Sequence, residues 1–408
     1  MTKIDHWLLP DGIEEILPDR AIKVERLRRR LLDLYHSWGY DLVIPPLAEF
    51  TDSLLSGSGS DLDLMTFKIT DQLTGRMMGV RADITPQAAR MDAHSLQRNS
   101  PNRLCYAGQV LYTRARGPLE SRSPIQLGVE LFGEASLEAD VEVMSLLVET
   151  LSFSGLDDIH LDIGHVGIYR ALEQAAGLSG EQSAELFVLL QRKDAGLQQW
   201  LASNVADAAL AAMLAALPGL AGNVAMLDRA KQVLAAAPAA VLQALSEVET
   251  VAQQLAERAP KAALFLDLSE LRGYHYHTGI VFAAYTSEST LALGNGGRYD
   301  DVGEAFGRAR PATGFGMDLS KLASLVEYNS SIAPGIYAPA PIEGASLSKS
   351  AWLVEIARLR ASGERVVCGF SGQHVDFDEL HCDRVLMAGD SEFTVQPAAA
   401  DTAGDESE

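Results

Sequence analysis

Strand-rich segments on both sides of a long helical segment constrain the fold of this chain more than any other feature. Residues 103–133 have strand character, and the strings AALFLDLSEL and GIVFAAY bring strands back after residue 261. Between them, residues 168–260 are dominated by alanine and leucine, which favour short helices, with breaks at Pro218 and Pro238. Strands, then helices, then strands again indicate an α+β fold with an antiparallel sheet.

Local patterns divide the chain further. Asp19 is a suitable cap for a helix that runs to about Ser37, and LDLMTFKITDQLTGRMMGVRAD has the pattern of a hairpin. Prolines cluster near residues 330–341, and a short segment with one helix and several strands follows. We predict a core domain over residues 1–327 that includes the helical insertion 168–260, a linker over 328–345, a small C-terminal α/β segment over 346–396, and a disordered acidic tail over 397–408.

Charge and cysteine content narrow the class of protein. The 408 residues carry a formal net charge of −22, and such an acidic surface repels nucleic-acid backbones and anionic membranes. The three cysteines lack the spacing of zinc ligands and are expected to be free thiols. The start of the chain lacks an apolar leader, and no run is long enough to span a bilayer. These features predict a cytoplasmic protein that binds neither nucleic acid nor membrane.

Two polar stretches are candidate binding elements. In VRADITPQ, Asp83 and Thr85 precede a helix, where they either contact a ligand ammonium or cap the helix. In QLGVELFG, Gln126 and Glu130 share the polar face of a strand, and Gly128 between them leaves room for another group. A half-buried carboxylate requires a partner, which is an amine ligand or a structural cation.

A third candidate is LRGYHYH, where tyrosine and histidine alternate after Arg272. On a strand, Tyr276 shares one face with Tyr274, and His277 shares the other with His275. Two such histidines are too few for a metal site, so a pocket wall or a polar strand edge is the better interpretation. The glycine-rich GNGGRYD brings a backbone close to a ligand or turns a hairpin, and it matches neither a phosphate-binding nor a dinucleotide-binding loop.

Taken together and in order, these stretches resemble the histidyl-tRNA synthetase family. The resemblance runs to about residue 327 and rests on VIPPLAEF, VRADITPQ, GQVLYTRARG with IQLGVELFG, LRGYHYH, GGRYD and PATGFGMDL. It implies a class II aminoacyl-tRNA synthetase-like fold, in which a six-stranded antiparallel sheet is flanked by helices. It also implies a dimer, for which VIPPLAEF resembles the family's dimer-forming motif.

The chain departs from that family at the positions that serve ATP. The family's second motif has an arginine and a glutamate where this chain has Tyr112 and Arg114, and its third motif has glutamate-arginine where this chain has Ser320 and Lys321. Lysine lacks the planar fork with which arginine grips a phosphate. Only about 80 residues follow the third motif, fewer than the family's anticodon-binding domain requires. These departures predict that adenylation chemistry is lost.

The amino-acid side of the family's pocket is better preserved, so the resemblance implies a site for L-histidine without a metal or cofactor. Asp83 is one carbon shorter than the family's glutamate, and His275 and His277 replace an aspartate and a tyrosine. The predicted histidine-binding residues are Asp83, Thr85, Gln126, Glu130, Arg272, Tyr276, His277 and Tyr299.

A synthetase fold with these losses resembles the regulatory subunits of ATP phosphoribosyltransferase. That resemblance implies a chain with no catalysis of its own, which joins a short-form catalytic subunit in a hetero-octamer. It would activate the first step of histidine biosynthesis and allow feedback inhibition by histidine. The alternative is a divergent, histidine-activating ligase.

Overall fold

The computed structural model describes residues 7–57, 60–117, 120–274, 276–327, 333–341, 347–372 and 374–398. These residues form two compact units. The larger one comprises the described residues up to 327 without residues 17–22, which group with the described residues from 333 onward. No helix in the described part of the chain has the length and apolar character needed to cross a bilayer.

A nine-stranded mixed sheet organises the larger unit. In spatial order its strands are β1 (Asp41–Leu42), β5 (Asn102–Gln109), β6 (Ile125–Phe132), β12 (Ala312–Asp318), β11 (Ser289–Arg298), β10 (Ile280–Thr286), β7 (Ile159–His165), β9 (Ala262–Asp267) and β8 (Ala221–Gly222). The six strands from β5 to β7 in this order are antiparallel, as the resemblance implied. The sheet is nevertheless wider than expected. β1 pairs in parallel with β5 at one edge, β9 pairs in parallel with β7 at the other, and β8 pairs with β9.

A small antiparallel sheet comprises β2 (Ala48–Phe50), β3 (Phe67–Thr70) and β4 (Met77–Val80), with β4 in the middle. It contains the hairpin that was predicted from the two apolar runs. The first residues of that prediction are helical instead, since a short helix ends at Met65.

Thirteen helices are present in the described residues, and those between residues 166 and 258 account for the alanine- and leucine-rich segment. They are α1 (Pro18–Ser37), α2 (Thr51–Leu54), α3 (Ser60–Met65), α4 (Thr85–Arg90), α5 (Leu137–Phe153), α6 (Val166–Ala176), α7 (Gly180–Gln191), α8 (Leu197–Asn204), α9 (Ala208–Ala216), α10 (Met226–Val233), α11 (Ala239–Arg258), α12 (Leu319–Leu325) and α13 (Lys349–Ala361). α1 buries Val24, Leu27 and Leu31 on the face predicted from their spacing. α11 packs against α5 and α6, which ties the insertion to the core of the larger unit.

The smaller unit contains a four-stranded sheet that α13 covers with Trp352, Ile356 and Leu359. Its strands are β13 (Gly335–Ala338), β14 (Val366–Cys368), β15 (Cys382–Ala388) and β16 (Phe393–Pro397). β13 lies inside the range predicted as a linker, yet it is buried and pairs in parallel with both β14 and β15. Residues 399–408 of the predicted tail lie outside the described residues, and β16 extends to Pro397.

Candidate functional site

A cavity of ≈ 230 Å³ opens where β6, β11 and β12 meet the start of α4. Seven of the eight residues predicted to bind a ligand line it: Asp83, Thr85, Gln126, Glu130, Tyr276, His277 and Tyr299. The fold therefore brings together side chains that are up to 216 positions apart in the sequence, from 83 to 299.

At the rim of the cavity beside α4, the side chains of Asp83 and Gln126 are hydrogen-bonded to each other. Gln126 Nε2 donates to Asp83 Oδ1 at 2.8 Å, and Gln126 Oε1 accepts from the backbone N–H of Ile84 at 2.8 Å. Asp83 Oδ1 also accepts from the backbone N–H of Thr85 at 2.9 Å. The Asp83 side chain thus accepts a hydrogen bond from a backbone N–H group at the start of α4. The prediction that the Thr85 side chain caps this helix is wrong.

At the inner end of the cavity lies Glu130, whose residue is only 1% exposed. Tyr106 Oη donates to Glu130 Oε1 at 3.0 Å, and the hydroxyl of Tyr299 donates to Oε2. Burial raises the pKa of Glu130 to about 8, against the opposing effect of the hydrogen bond from Tyr299. The carboxyl group therefore retains a proton near neutral pH.

The room left by Gly128 is occupied by protein atoms. A Cβ at this position would meet Tyr106 Oη and the carbonyl oxygen of Phe315, each at 2.5 Å. Tyr106 lies directly opposite Gly128 in the β5–β6 register, and its hydroxyl also contacts Thr85 Oγ1 at 3.2 Å. The group for which Gly128 leaves room is therefore the side chain of Tyr106 and not a ligand, and Tyr106 supports the cavity from behind.

Other glycines bring the backbone to the wall of the cavity. A Cβ on Gly314 would overlap Glu130 Oε2, and one on Gly296 would overlap the carbonyl oxygen of Gly314. Both glycines line the cavity from adjacent strands. The GNGG stretch thus lies within β11, close to the candidate ligand site, and does not turn a hairpin.

The described residues of the stretch 271–279, which are 271–274 and 276–279, form turns and bends, so the alternation expected of a strand does not apply to them. The backbone N–H groups of Tyr276 and His277 both donate to the carbonyl oxygen of Gly273 at 2.8 Å, and Gly273 has φ +62°. Tyr274 packs away from the cavity, with its hydroxyl donating to Glu173 at 2.7 Å. His275 lies outside the described residues.

Tyr276 and His277 carry polar atoms that lack a protein partner. Tyr276 stacks on Tyr299 with ring centroids 5.0 Å apart, and its buried hydroxyl makes no hydrogen bond within the described residues. The buried Nδ1 of His277 likewise makes no hydrogen bond within the described residues. Burial lowers the pKa of His277 to about 4, so its ring is neutral near pH 7. Buried polar groups are normally satisfied, so these two atoms are available for hydrogen bonds with a water or with a molecule bound in the cavity.

Arg272 is the predicted residue that the fold keeps out of this cavity. It lines a smaller neighbouring cavity of ≈ 80 Å³, which shares His277 with the first. Its guanidinium forms an ion pair with Glu270 at 2.7 Å and donates to Tyr285 Oη at 2.7 Å. Both partners hold the guanidinium in the smaller cavity.

The outer end of the main cavity is lined by Tyr112, Arg116, Glu120, Asp318 and Lys321. The guanidinium of Arg116, which sequence reasoning did not single out, lies 4.3 Å from the ring centroid of Tyr112. Its position two residues beyond Arg114 in the arginine-rich TRARG string was the available signal. Burial lowers the pKa of Lys321, although the Glu120 and Asp318 carboxylates act in the opposite direction.

The chemistry of the cavity suits a small polar molecule that carries hydrogen-bond donors. It offers carboxyl groups at Asp83 and Glu130, and no group of three or more candidate metal ligands occurs in the described parts of the chain.

Comparisons with known proteins agree with the two-part organisation. The family model described as histidyl-tRNA synthetase matches residues 12–322, and the one described as the ATP phosphoribosyltransferase subunit HisZ C-terminal domain matches residues 333–396. A crystal structure titled an ATP phosphoribosyltransferase regulatory subunit/histidyl-tRNA synthetase from Bacillus halodurans has a TM-score of 0.81 and 27% identity, covering 93% of this chain and 97% of that one. The histidyl-tRNA synthetase of Nostoc sp. PCC 7120 shares the fold, with a TM-score of 0.74 at 18% identity over 93% of this chain and 91% of that one.

Curated relatives extend the similarity to the whole chain. The ATP phosphoribosyltransferase regulatory subunit of Saccharophagus degradans is 56% identical over 97% of this chain and 100% of its own length. That of Teredinibacter turnerae is 54% identical over the same shares. The chain therefore belongs to the family of ATP phosphoribosyltransferase regulatory subunits.

Proposed function

We propose that this chain is the non-catalytic regulatory subunit of an ATP phosphoribosyltransferase and acts in the first step of histidine biosynthesis. The observation that carries the proposal is its full-length similarity to proteins of that name. The C-terminal match favours this function over the alternative of a histidine-activating ligase. The partner is a short-form catalytic subunit, and dimers of this chain join it in a cytoplasmic hetero-octamer.

L-Histidine is the proposed ligand of the main cavity. Its two nitrogen-bearing ends match the two carboxyl groups, Asp83 at the rim and Glu130 at the inner end. Thr85 and Gln126 complete the rim, and the tyrosine pair 276 and 299 contacts the imidazole ring. The unpartnered hydroxyl of Tyr276 supports a polar ligand at this place.

The proposed role of Arg272 is indirect. Its guanidinium is held by Glu270 and Tyr285, so contact with histidine requires that it leave both. We propose that Arg272 contacts histidine only in a second conformation of the chain, in which its guanidinium has left Glu270 and Tyr285.

The chain performs no adenylation in this proposal. Aminoacyl adenylate formation needs fixed positive charge at the α-phosphate, and Tyr112 stands where the family has an arginine. Lys321, which lines the cavity, lacks the planar fork with which arginine binds a phosphate bidentately, and the Arg116 guanidinium lies over the Tyr112 ring. Pyrophosphate exchange with ATP and histidine should therefore remain at the level of a protein-free control, and exchange above that level would contradict this part of the proposal.

The deciding experiment mixes this chain with the short-form catalytic subunit of the same source. Formation of phosphoribosyl-ATP is followed with and without this chain, and then with added histidine. We expect this chain to raise the turnover of the catalytic subunit and histidine to reverse the increase. Unchanged turnover and unchanged inhibition would overturn the regulatory function.

Calorimetric titration tests the histidine site directly. Asp83→Asn removes a charged acceptor and should weaken histidine binding about 10- to 100-fold, the range expected of one charged hydrogen bond. Glu257→Gln, on the exposed face of α11, removes a carboxylate far from the cavity and should bind like the wild type. The assignment would be overturned if the wild type did not bind histidine, or if Asp83→Asn and Glu130→Ala bound histidine as tightly as the wild type does.

A further inference from the structure

The carboxyl group of Glu130 is buried without a positive partner. Its two oxygens contact the hydroxyls of Tyr106 and Tyr299, and among the described residues no lysine, arginine or histidine forms an ion pair with it. An isolated buried charge is costly, so such groups are usually paired or neutral. In the structure without ligand, the neutral form resolves this problem.

The neighbours of Glu130 reinforce the neutral form. His277, which lines the same cavity, is itself kept neutral by burial and so offers Glu130 no positive charge. The nearby carboxylate of Asp83 adds a like charge that disfavours ionisation. The titratable or polar groups around it are Asp83, Thr85, Tyr106, Tyr276, His277 and Tyr299.

We propose that Glu130 carries a proton while the cavity is empty and gives it up when a ligand nitrogen binds there, so that the site selects ligands with a basic nitrogen. This inference rests on the proposed function, since histidine is the ligand considered. It assigns to Glu130 an ionisation change in addition to its contact with the ligand.

The proton balance of this exchange is simple. In the empty cavity the O–H of the Glu130 carboxyl group is intact and donates to Tyr106 Oη, whose own O–H turns to Thr85 Oγ1 at 3.2 Å. In the ionised form both tyrosine hydroxyls, Tyr106 and Tyr299, donate to the carboxylate. On binding, the O–H bond of Glu130 breaks, and the ligand nitrogen places an N–H opposite the carboxylate. The proton passes to the basic imidazole nitrogen or leaves to solvent, and no other bond is formed or broken.

Two consequences follow for the ligand. A charged nitrogen gains the full attraction of an ionised partner that is shielded from water, which is stronger than at an exposed site. A ring without nitrogen finds only a neutral acid and forfeits this interaction. The cavity therefore distinguishes histidine from an aromatic amino acid of similar size by charge as well as by shape.

Infrared difference spectroscopy tests the proposal, because a protonated carboxylic acid has a carbonyl stretching band that a carboxylate lacks. The wild-type chain without ligand should show this band at pH 6.5, and it should disappear with a midpoint near pH 8. Glu130→Gln should lack the band. Saturating histidine at pH 6.5 should remove it from the wild type, whereas phenylalanine should not.

Tyr106→Phe provides a second assignment if Glu130→Gln does not fold. This variant removes the hydrogen bond at 3.0 Å, so it should shift the same band while leaving it sensitive to histidine. A band that is absent at pH 6.5, or that persists when calorimetry shows histidine bound, would overturn the inference and leave the proposed function standing. Absence of histidine binding in calorimetry would overturn both.

Discussion

Replacing Gly128 by alanine probes the support behind the cavity. Its added Cβ would lie 2.5 Å from both Tyr106 Oη and the carbonyl oxygen of Phe315, whereas ordinary contacts begin at 3.4 Å. The carbonyl belongs to β12, which is hydrogen-bonded to β6 on one side and β11 on the other. Moving the Tyr106 hydroxyl relieves only one of the two contacts, so β12 must shift as well and disturb its ladders with β6 and β11.

The expected cost follows from these two contacts. Overpacking a well-packed interior costs about 1–3 kcal/mol, and the backbone contact sets Gly128→Ala at the upper end, about 3 kcal/mol. With an entropy of unfolding of about 2.1 cal/mol/K per residue, 1 kcal/mol corresponds to only about 1 °C in the melting temperature of a 408-residue chain, so Tm should fall by about 3 to 4 °C. Histidine binding should weaken as well, because the displaced Tyr106 loses its contact with Glu130.

Thermal unfolding and histidine calorimetry are the assays, with Gly180→Ala as the matched control. Gly180 begins α7 with nothing within 4 Å of its Cβ position, so this variant should match or slightly exceed the wild type. Combining Gly128→Ala with Tyr106→Phe should recover part of the loss, because the hydroxyl is one of the two clashing atoms. A Gly128→Ala chain that melts within 1 °C of the wild type and binds histidine equally well would refute the reasoning.

Two further perturbations test the packing around the site. Asp140→Leu removes the carboxylate that lies 2.6 Å from the buried guanidinium of Arg298, and it should lower the free energy of unfolding by about 3–5 kcal/mol in a denaturant titration. The control, Glu355→Gln, breaks the more exposed ion pair with Arg358 and should lower it by less than about 1 kcal/mol. Because burial lowers the pKa of His277 to about 4, the unfolded chain binds more protons between that value and about 6.5, so the stability contribution of this residue is lost as pH falls through this window. His277→Phe should flatten that acid-side decline in melting temperature, and an unchanged pH profile would contradict the assignment.

Much of the fold was predictable because its signals are local or are carried by motifs. The spacing of Val24, Leu27 and Leu31 is sufficient to place the buried face of α1. Seven of the eight predicted site residues share one cavity, and they were predicted because their stretches, taken together and in order, resemble the motifs of one family.

What sequence reasoning missed depends on contacts between distant segments. The role of Tyr106 arises from its register opposite Gly128, which no spacing within β5 reveals. The turn at 271–279 depends on the left-handed conformation of Gly273, and the Tyr-His alternation there imitates a strand. β13 is only four residues long and lies between Pro334 and Pro339, so composition gave it the character of a linker.

The wall that Gly296, Gly314 and Gly316 contribute to the cavity has a consequence for how the site can diverge. A pocket lined by large side chains widens when one of them is shortened, but glycine has no side chain to shorten. Substitutions at these positions can only add atoms, and at Gly296 and Gly314 those atoms would overlap the neighbouring strand or Glu130. On this side the size of an acceptable ligand has an upper limit that is set by the backbone itself, and descendants of this chain can move below that limit but not above it.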